Sequence, residues 1–211
     1  MVKFTLEEYL FQVIVPALGT TFRILFWTML FSSIFGFMLA IALAVTGKNG
    51  LRENKVLYKI LEVSANIIRS FPFVILVVAL IPVTRIIVGT SIGEAAAIFP
   101  LSISMTAYYG RLIESHLREV DRDLIDAARS YGASDFQIIW HVLLVQATPG
   151  IVSVMFFGIV AALNATTQAG LVGAGGIGAI AIRYGYQNFS NEIMYGTVLI
   201  IIVIVQIIQL I

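Results

Sequence analysis

The chain has 211 residues, of which 59% are hydrophobic and only 12% are charged. A soluble domain has about 25% charged residues, so a soluble fold of this length could not cover its surface. The absence of cysteine excludes disulfides and thiolate metal sites, and a net charge of +1 without a basic run gives no reason to expect nucleic acid. Composition therefore predicts an integral membrane protein.

The N-terminal 17 residues are predicted to form an external segment that precedes the membrane domain, residues 18–211. Glu7 and Glu8 stand where a secretory signal would carry cationic residues, so we expect no cleaved signal peptide. His116 and His141 lie far apart without the spacing of metal ligands, and a structural role is expected for both.

Five apolar stretches are long enough to cross a bilayer, since a transmembrane helix needs about 20 apolar residues. They predict an all-α polytopic fold with spans at about 24–47, 63–84, 91–110, 149–168 and 193–211. Between Val142 and Ile182 no residue is charged, and Pro149 together with the following glycines is expected to divide this run. No basic residue follows the last span, so a short basic tail is expected beyond Ile211.

The lysines and arginines predict the orientation of these spans, because cytoplasmic loops carry an excess of them. Eight lie in the loops after the first and third spans: Lys48, Arg52, Lys55, Lys59, Arg111, Arg118, Arg122 and Arg129. Four lie on the opposite side: Lys3, Arg23, Arg85 and Arg183. We therefore expect a multi-pass membrane protein with its N-terminus outside and Ile211 inside.

A glycine cluster follows the fourth predicted span, and Gly173, Gly175 and Gly178 match the dinucleotide-binding spacing G-x-G-x-x-G. That motif requires a preceding buried strand, whereas here a membrane helix precedes it on the outer side, which argues against nucleotide binding. Together with Gly176, these glycines predict a tight outer loop, either purely structural or part of a gate or docking surface. The chain also lacks G-x-x-x-x-G-K-[ST], so any ATP and magnesium are expected on a partner, with no cofactor on this chain.

The longest predicted cytoplasmic stretch, residues 111–146, is called the coupling segment below. Asp121 is a favourable N-cap for a helix through DLIDAARSY, and Gly132 suits the left-handed residue that ends it. Ser134 and Gln137 predict a capping box at the start of a second helix.

The first of these helices presents small and apolar residues on adjoining faces. Leu124, Ala127, Ala128 and Tyr131 follow i, i+3, i+4 and i+7 spacing. An amphipathic helix on an anionic membrane surface would carry basic residues on its polar face. The acidic residues here outnumber the basic ones, which favours a protein partner.

Part of the coupling segment resembles a known signature. Asp126-Ala127-Ala128, three residues, Gly132, nine residues and Val142-Leu143-Leu144 are similar to the E-A-A-x-x-x-G-(nine)-I-x-L-P pattern in permease subunits of type I ABC importers. Asp126 replaces the usual Glu, and Val145 replaces the usual Pro, whose break we expect at Pro149. The resemblance implies a coupling helix that docks on an ATPase through Leu124, Ile125, Asp126, Ala127, Ala128, Ser130, Tyr131, Gly132 and Ala133.

The resemblance runs from about Leu18 to the C-terminus, and it is narrower in two stretches. Residues 66–93 and 171–186 closely resemble permeases of the methionine importers within this superfamily. This implies a bacterial inner or plasma membrane protein that works with a second permease copy, two cytoplasmic ABC ATPases and an external methionine-binding lipoprotein. It further implies a non-catalytic subunit that forms the path for L-methionine, and for D-methionine as a further substrate, by alternating access.

Five polar residues within the predicted spans are candidates for the transport path. Arg69 either reaches the membrane interface with its long side chain or holds a functional partner inside the bundle. Asn164, Thr166, Thr167 and Gln168 either form hydrogen bonds between helices or line the path. Glu94, at the outer end of the third span, is expected to be solvated.

Three rival interpretations remain at this stage. The first is an ABC importer permease for another amino acid or small solute, because no residue reads the substrate side chain directly. The second is a small secondary transporter that needs no ATPase, against which the coupling segment argues. The third is an intramembrane enzyme, which lacks support because no catalytic Ser/His/Asp group or HExxH motif is present.

Overall fold

A computed structural model of the chain describes residues 9–170 and 173–210, and within these ranges helices are joined by short turns. The helices are α1 (Val15–Thr46), α2 (Lys55–Ser70), α3 (Phe73–Ala79), α4 (Ile81–Val88), α5 (Glu94–Arg118), α6 (Arg122–Ser130), α7 (Asp135–Ile138), α8 (Leu144–Ala169), α9 (Gly176–Ile180) and α10 (Asn191–Gln209). π-helical turns at Tyr9–Ile14, Ile139–Leu143 and Ala181–Tyr186 extend α1, join α7 to α8 and follow α9. Residues 1–8 of the predicted N-terminal segment, residues 171 and 172 of the glycine-rich stretch and Ile211 lie outside the described residues. Residues 9–17, which are predicted to lie outside the membrane domain, are instead the start of the helical stretch that contains α1.

Three helical stretches in the described chain are long and apolar enough to cross a membrane: Tyr9–Thr46, Asp135–Ala169 and Asn191–Gln209. They correspond to the first, fourth and fifth predicted spans, although the first two extend well beyond the predicted limits. Helix α5 covers the predicted third span with 25 residues but is less apolar, because serine, threonine and tyrosine interrupt it. A fold of membrane helices is confirmed, and the count of five spans stays a prediction.

The predicted second span, residues 63–84, is not one continuous helix. Helices α2 and α3 are bent by 108° at the break between Ser70 and Phe73. Pro72 explains the break, because a proline has no N–H to donate and disfavours helical backbone at the residue before it, here Phe71. The sequence prediction overlooked this effect of Pro72 on its neighbour.

The expected division at Pro149 is wrong. Pro149 lies inside α8, and the helical stretch from Asp135 to Ala169 continues past it. Membrane helices tolerate proline where side chains and local π-helical adjustment satisfy the freed backbone groups. Because Pro149 has no N–H, the carbonyl it frees is that of Val145, and the π-helical turn Ile139–Leu143 lies just before this point at the start of α8.

The described chain forms two compact units. The first comprises the described parts of Met1–Leu30, Phe71–Ser104 and Ile159–Ile211, and the second comprises Phe31–Ser70 and Met105–Gly158. Helices α1, α5 and α8 each contribute residues to both units.

Each unit has its own core, in which small residues allow close helix packing. In the first unit, the buried residues Ile24, Ala97, Leu101, Ala169 and Ala174 pack together. In the second unit, Tyr109 is fully buried, and a Cβ added at Gly36 or Gly158 would collide with it. These cores position the coupling segment in the second unit and the glycine cluster in the first.

Candidate functional site

The coupling segment contains helix α6, whose ends are those predicted. The Asp123 N–H donates a hydrogen bond to Asp121 Oδ1 at 3.0 Å, so Asp121 is the N-cap. The helix ends at Ser130, and Gly132 follows with φ of +84°, in the left-handed region that favours glycine.

The second helix of the segment begins with the predicted capping box. The Gln137 N–H donates to Ser134 Oγ at 3.3 Å, and the Ser134 N–H donates to Gln137 Oε1 at 2.9 Å. Because these contacts satisfy amide groups at the first turn of α7, the chain direction after Gly132 is well defined. Helix α7 then continues through the π-helical turn into α8.

Helix α6 is uncovered, since none of its residues is buried. Leu124 is 43% exposed and Tyr131 is 92% exposed. Ala127 is exposed and Ala128 half-buried, on adjoining faces of the helix. The other predicted docking residues, Ile125, Asp126, Ser130, Gly132 and Ala133, are likewise half-buried or exposed. A solvent-facing apolar surface with two alanines is therefore open to a closely packed partner.

An open groove of about 400 Å³ borders the end of α6. Its lining residues are Tyr131, Gly132, Ala133, Gln137, His141 and Val142. A second hollow of about 240 Å³ borders the start of α6 and includes Asp121, Leu124, His116 and Gly150 in its lining. Both hollows are lined by polar as well as apolar side chains.

A buried ion network in the second unit was not predicted from the sequence. The Glu114 side chain is 3% exposed and lies 2.6 Å from Arg111 Nη1 and 3.3 Å from Arg118 Nη1. Tyr58 OH, on α2, donates to Glu114 Oε1 at 3.2 Å, and Arg111 also pairs with Glu62 of α2 at 3.8 Å. The i, i+3 and i+4 spacing around Glu114 was readable in the sequence, but the link to α2 was not.

The glycine segment, Gly173–Gly178, packs on α1 in the first unit. The Ile177 N–H donates to Thr21 Oγ1 at 2.8 Å, and Thr21 is buried. A Cβ added at Gly176 would lie 2.7 Å from Thr21 Oγ1, and one at Gly178 would lie 2.5 Å from the Thr167 Cα. Absence of a side chain is therefore required at both positions.

Only part of this segment is a loop, contrary to the expectation of an outer glycine loop. Gly173, Gly175 and Gly176 have positive φ values of 89°, 79° and 82°; Gly176 is also the first residue of α9, and Gly178 lies within that helix. No strand precedes them in the described chain; α8 does, so the G-x-G-x-x-G spacing occurs outside the strand–turn–helix context of a dinucleotide site.

Helix α8 carries four of the candidate path residues, which differ in their environments. Thr166 is buried and donates to the Leu163 carbonyl at 2.7 Å, and Thr167 donates to the same carbonyl at 3.3 Å. Asn164 and Gln168 are exposed and lie one turn apart on one face. The threonine hydroxyls thus bond within their own helix, while the two amides are free to meet a partner or a solute.

The remaining candidates lie apart from these. Arg69 is exposed in the last turn of α2, and it forms no ion pair within the described part of the chain. Glu94 is not simply solvated: its Oε1 and Oε2 accept hydrogen bonds from Arg23 at 2.6 Å and 2.9 Å, and Oε1 accepts another from Thr20 at 3.0 Å. Among the described residues, no group of three His, Asp or Glu side chains is arranged to hold a metal ion.

Comparison with known proteins gives concordant matches. Residues 36–211 match the family model for binding-protein-dependent transport system inner membrane components. The chain is 48% identical over 174 residues to the probable D-methionine transport system permease protein MetI of Vibrio cholerae, covering 82% of this chain and 77% of that protein. It is 38% identical over 169 residues to the methionine import system permease protein MetP of Bacillus subtilis, covering 80% and 76%.

Two solved transporter structures superpose on this chain. A chain of the MetNI methionine ABC transporter in an inward-facing conformation superposes with a TM-score of 0.93 at 34% identity, over 98% of this chain and 95% of that one. An amino acid ABC transporter superposes with a TM-score of 0.78 at 18% identity, which shows a shared fold alone.

Proposed function

The chain belongs to the family of binding-protein-dependent transport system inner membrane components, and on this premise we propose that it is the permease subunit of an ATP-driven methionine importer. It forms the transmembrane path for L-methionine, with D-methionine as a further substrate. The chain itself carries out no covalent step and binds no cofactor; ATP and magnesium belong to the partner ATPase.

One observation carries this proposal: α6 is a short capped helix whose apolar face is uncovered. Such a face on a membrane protein fits a soluble partner that inserts it into a cleft. Asp126-Ala127-Ala128 within α6 and Gly132 just after it resemble the docking signature of ABC importer permeases, with Asp in place of the usual Glu. A secondary transporter without an ATPase has no use for such a helix.

The proposed complex contains a second copy of this chain, two cytoplasmic ABC ATPases and an external methionine-binding lipoprotein. A single chain has few helices with which to enclose an amino-acid path, whereas a twofold pair can form one along its axis. Two inward-facing MetNI structures similar to this chain support an assembly of this kind.

The proposed mechanism is alternating access. ATP closes the two ATPases, the α6 helices follow them, and the membrane helices open the path to the other side. Asn164, Gln168 and Arg69 are the candidates for polar groups along the path, since their side chains are exposed in the single chain. The glycine segment is a candidate for an outer gate or for contact with the lipoprotein.

Purification of the complete complex tests the proposal. The permease, its ATPase and the lipoprotein are placed in liposomes, and methionine uptake and ATP hydrolysis are measured together. We expect methionine with its lipoprotein to stimulate both. Equal stimulation by other amino acids with their own binding proteins would replace the methionine assignment, and uptake by the permease alone would favour the secondary transporter.

Orientation is tested separately by cysteine labelling, which is clean because the native chain has no cysteine. Asn49→Cys and Asn188→Cys should react with an impermeant thiol reagent from opposite sides, with position 188 labelled from outside. Labelling of both from one side would contradict the proposed orientation.

A further inference from the structure

Helix α6 needs a means of being held, because it contributes no buried residue to a core. A docking helix that transmits force cannot be loosely attached to the membrane helices it moves. With little apolar burial available, polar contacts to neighbouring backbone must supply most of its positioning.

The turn between α1 and α2, residues 47–54, is the structure that α6 contacts. It is closed by backbone hydrogen bonds, of which Gly50 N–H to Gly47 O is 2.9 Å, Arg52 N–H to Val45 O is 3.0 Å and Asn54 N–H to Thr46 O is 2.9 Å. A Cβ added at Gly50 would collide with the Val45 carbonyl, so the turn is packed tightly on the end of α1. The turn thus extends α1 and α2 as a compact, internally bonded unit.

Two arginines join α6 to this turn. Arg122 Nη2 donates to the Asn49 carbonyl at 2.8 Å, and Arg129 Nη2 donates to the Leu51 carbonyl at 3.0 Å. The arginines stand seven residues apart, about two helical turns, and therefore lie on one face of α6. They hold the helix at both ends.

A further set of ion pairs links the turn and α6 to α7. Arg52, on the turn, pairs with Asp135 at 2.6 Å, and Arg129 lies 3.5 Å from the other carboxylate oxygen of Asp135. Asp135 is the first residue of α7. The turn, α6 and α7 are therefore linked through one carboxylate and its two arginines.

The two faces of α6 have different partners. At 100° per residue, Leu124, Ala127, Ala128 and Tyr131 project from the side opposite Arg122 and Arg129. Because the arginine face binds the turn, the alanine face is left free for docking. The same contacts fix the direction in which the alanine face points.

We propose that the turn at residues 47–54 and α6 form one rigid coupling element, held by Arg122, Arg129 and the Arg52–Asp135 pair. This inference rests on the proposed function of α6. A displacement of α6 then reaches α1 and α2 directly through the turn, as well as through its chain neighbours α5 and α7. Arg122, Arg129, Arg52 and Asp135 are positioning residues in transport.

Distance measurement in the complete complex tests whether the element is rigid. Spin labels at Lys48→Cys on the turn and Asp123→Cys on α6 report their separation with and without ATP. We expect one narrow distance distribution that is the same in both states. Separation that changes on ATP binding would overturn the proposal, because the turn and the helix would then move independently.

The variant R122Q/R129Q removes the two contacts to the turn. We expect its distance distribution to broaden, and methionine uptake per ATP hydrolysed to fall by about tenfold through the loss of two charge-assisted hydrogen bonds. The control K55Q/K59Q removes two exposed cations near the same turn and should leave both readouts unchanged. Native distances and native coupling in R122Q/R129Q would overturn the proposal.

These outcomes are distinguishable from a failure of the proposed function. Absence of methionine uptake by the native complex would refute the methionine assignment. The spin-label distances are measured without methionine, so they test whether the turn and α6 are rigidly joined whatever the substrate is.

Discussion

The coupling segment and the glycine segment both connect long helices, yet they are held in opposite ways. Helix α6 has no buried residue and is held by arginine side chains that reach backbone carbonyls. The glycine segment is held by the absence of side chains, with Gly176 and Gly178 in contact with Thr21 and Thr167. A surface free to dock and a tightly packed helix junction thus require different residues.

This difference predicts which property each substitution changes. In the coupling segment, a change of charge or size on the alanine face should affect the partner and leave the permease folded. In the glycine segment, any added volume should affect the fold itself. The following predictions test this contrast, from the largest expected effect to the smallest.

The largest effect is expected for Ala128→Glu, which places a charge and extra volume on the docking face. Burying both in a partner cleft costs several kcal/mol, roughly 3–5. The ATPase should fail to co-purify, while the thermal stability of the permease in detergent stays near that of the native chain. Ala128→Ser serves as the size-matched control and should retain the ATPase.

Retention of the ATPase and of full transport by Ala128→Glu would show that α6 is only a surface helix.

Two substitutions at Gly132 test whether its left-handed backbone conformation sets the direction of α6. Gly132→Asn should be tolerated in that conformation, whereas Gly132→Val should lose coupling because space is open but φ is +84°.

Gly178→Val should have the largest effect on the fold. Its side chain would meet the Thr167 backbone, and overpacking of this kind costs about 1–3 kcal/mol or more. We expect a lower yield and a lower thermal unfolding temperature in detergent. Gly196→Val in α10 is the matched control, because a Cβ there meets no atom closer than 3.9 Å. Equal stability of the two variants would mean that α8 and α9 can separate without cost.

Glu114→Gln tests the buried ion network that joins α5 to α2. Breaking a fully buried pair costs about 3–5 kcal/mol, but Arg118 is partly exposed, so we expect about 2 kcal/mol. Unfolding of the purified permease should occur at lower temperature. Glu119→Gln, whose side chain is 67% exposed, should change stability by less than about 0.5 kcal/mol. An unchanged unfolding temperature in Glu114→Gln would show that Tyr58 and the arginines hold α2 without the negative charge of Glu114.

Thr21→Val should have the smallest effect of these substitutions. It removes the hydroxyl that accepts the Ile177 N–H and leaves that buried donor unpaired, at a cost of about 1–2 kcal/mol. Thr21→Ser retains the hydroxyl and should behave as the native chain does. Hydrogen exchange at the Ile177 amide measures the effect directly, and unchanged protection in Thr21→Val would disprove the role of this bond.

Local features of the coupling segment were predictable because they depend on residues a few positions apart. The cap at Asp121, the left-handed Gly132 and the capping box at Ser134 all follow from the preferences of those residue types. The membrane class followed from composition alone. The resemblance to ABC importer permeases could be read from the docking signature and from the longer stretches 66–93 and 171–186.

Two prolines show that the preference of a single residue type does not determine whether a helix breaks. Pro72 separates two helices bent by 108°, whereas Pro149 lies inside a continuous helical stretch. Both lack an N–H, so the residue alone does not determine the outcome. The difference depends on whether surrounding groups can satisfy the freed carbonyls and accommodate the bend, which is a property of the packed structure.

The sequence by itself determined the membrane character, the helix ends of the coupling segment and the family of the chain, since these depend on composition and short spacing. Only the tertiary structure decided that Thr21 receives the Ile177 amide, that Glu114 lies against Tyr58, and that Arg122 and Arg129 reach the turn after α1. Each of these contacts joins residues more than 50 positions apart. Such pairs meet only because helix packing brings their backbones together, and no local preference encodes that meeting.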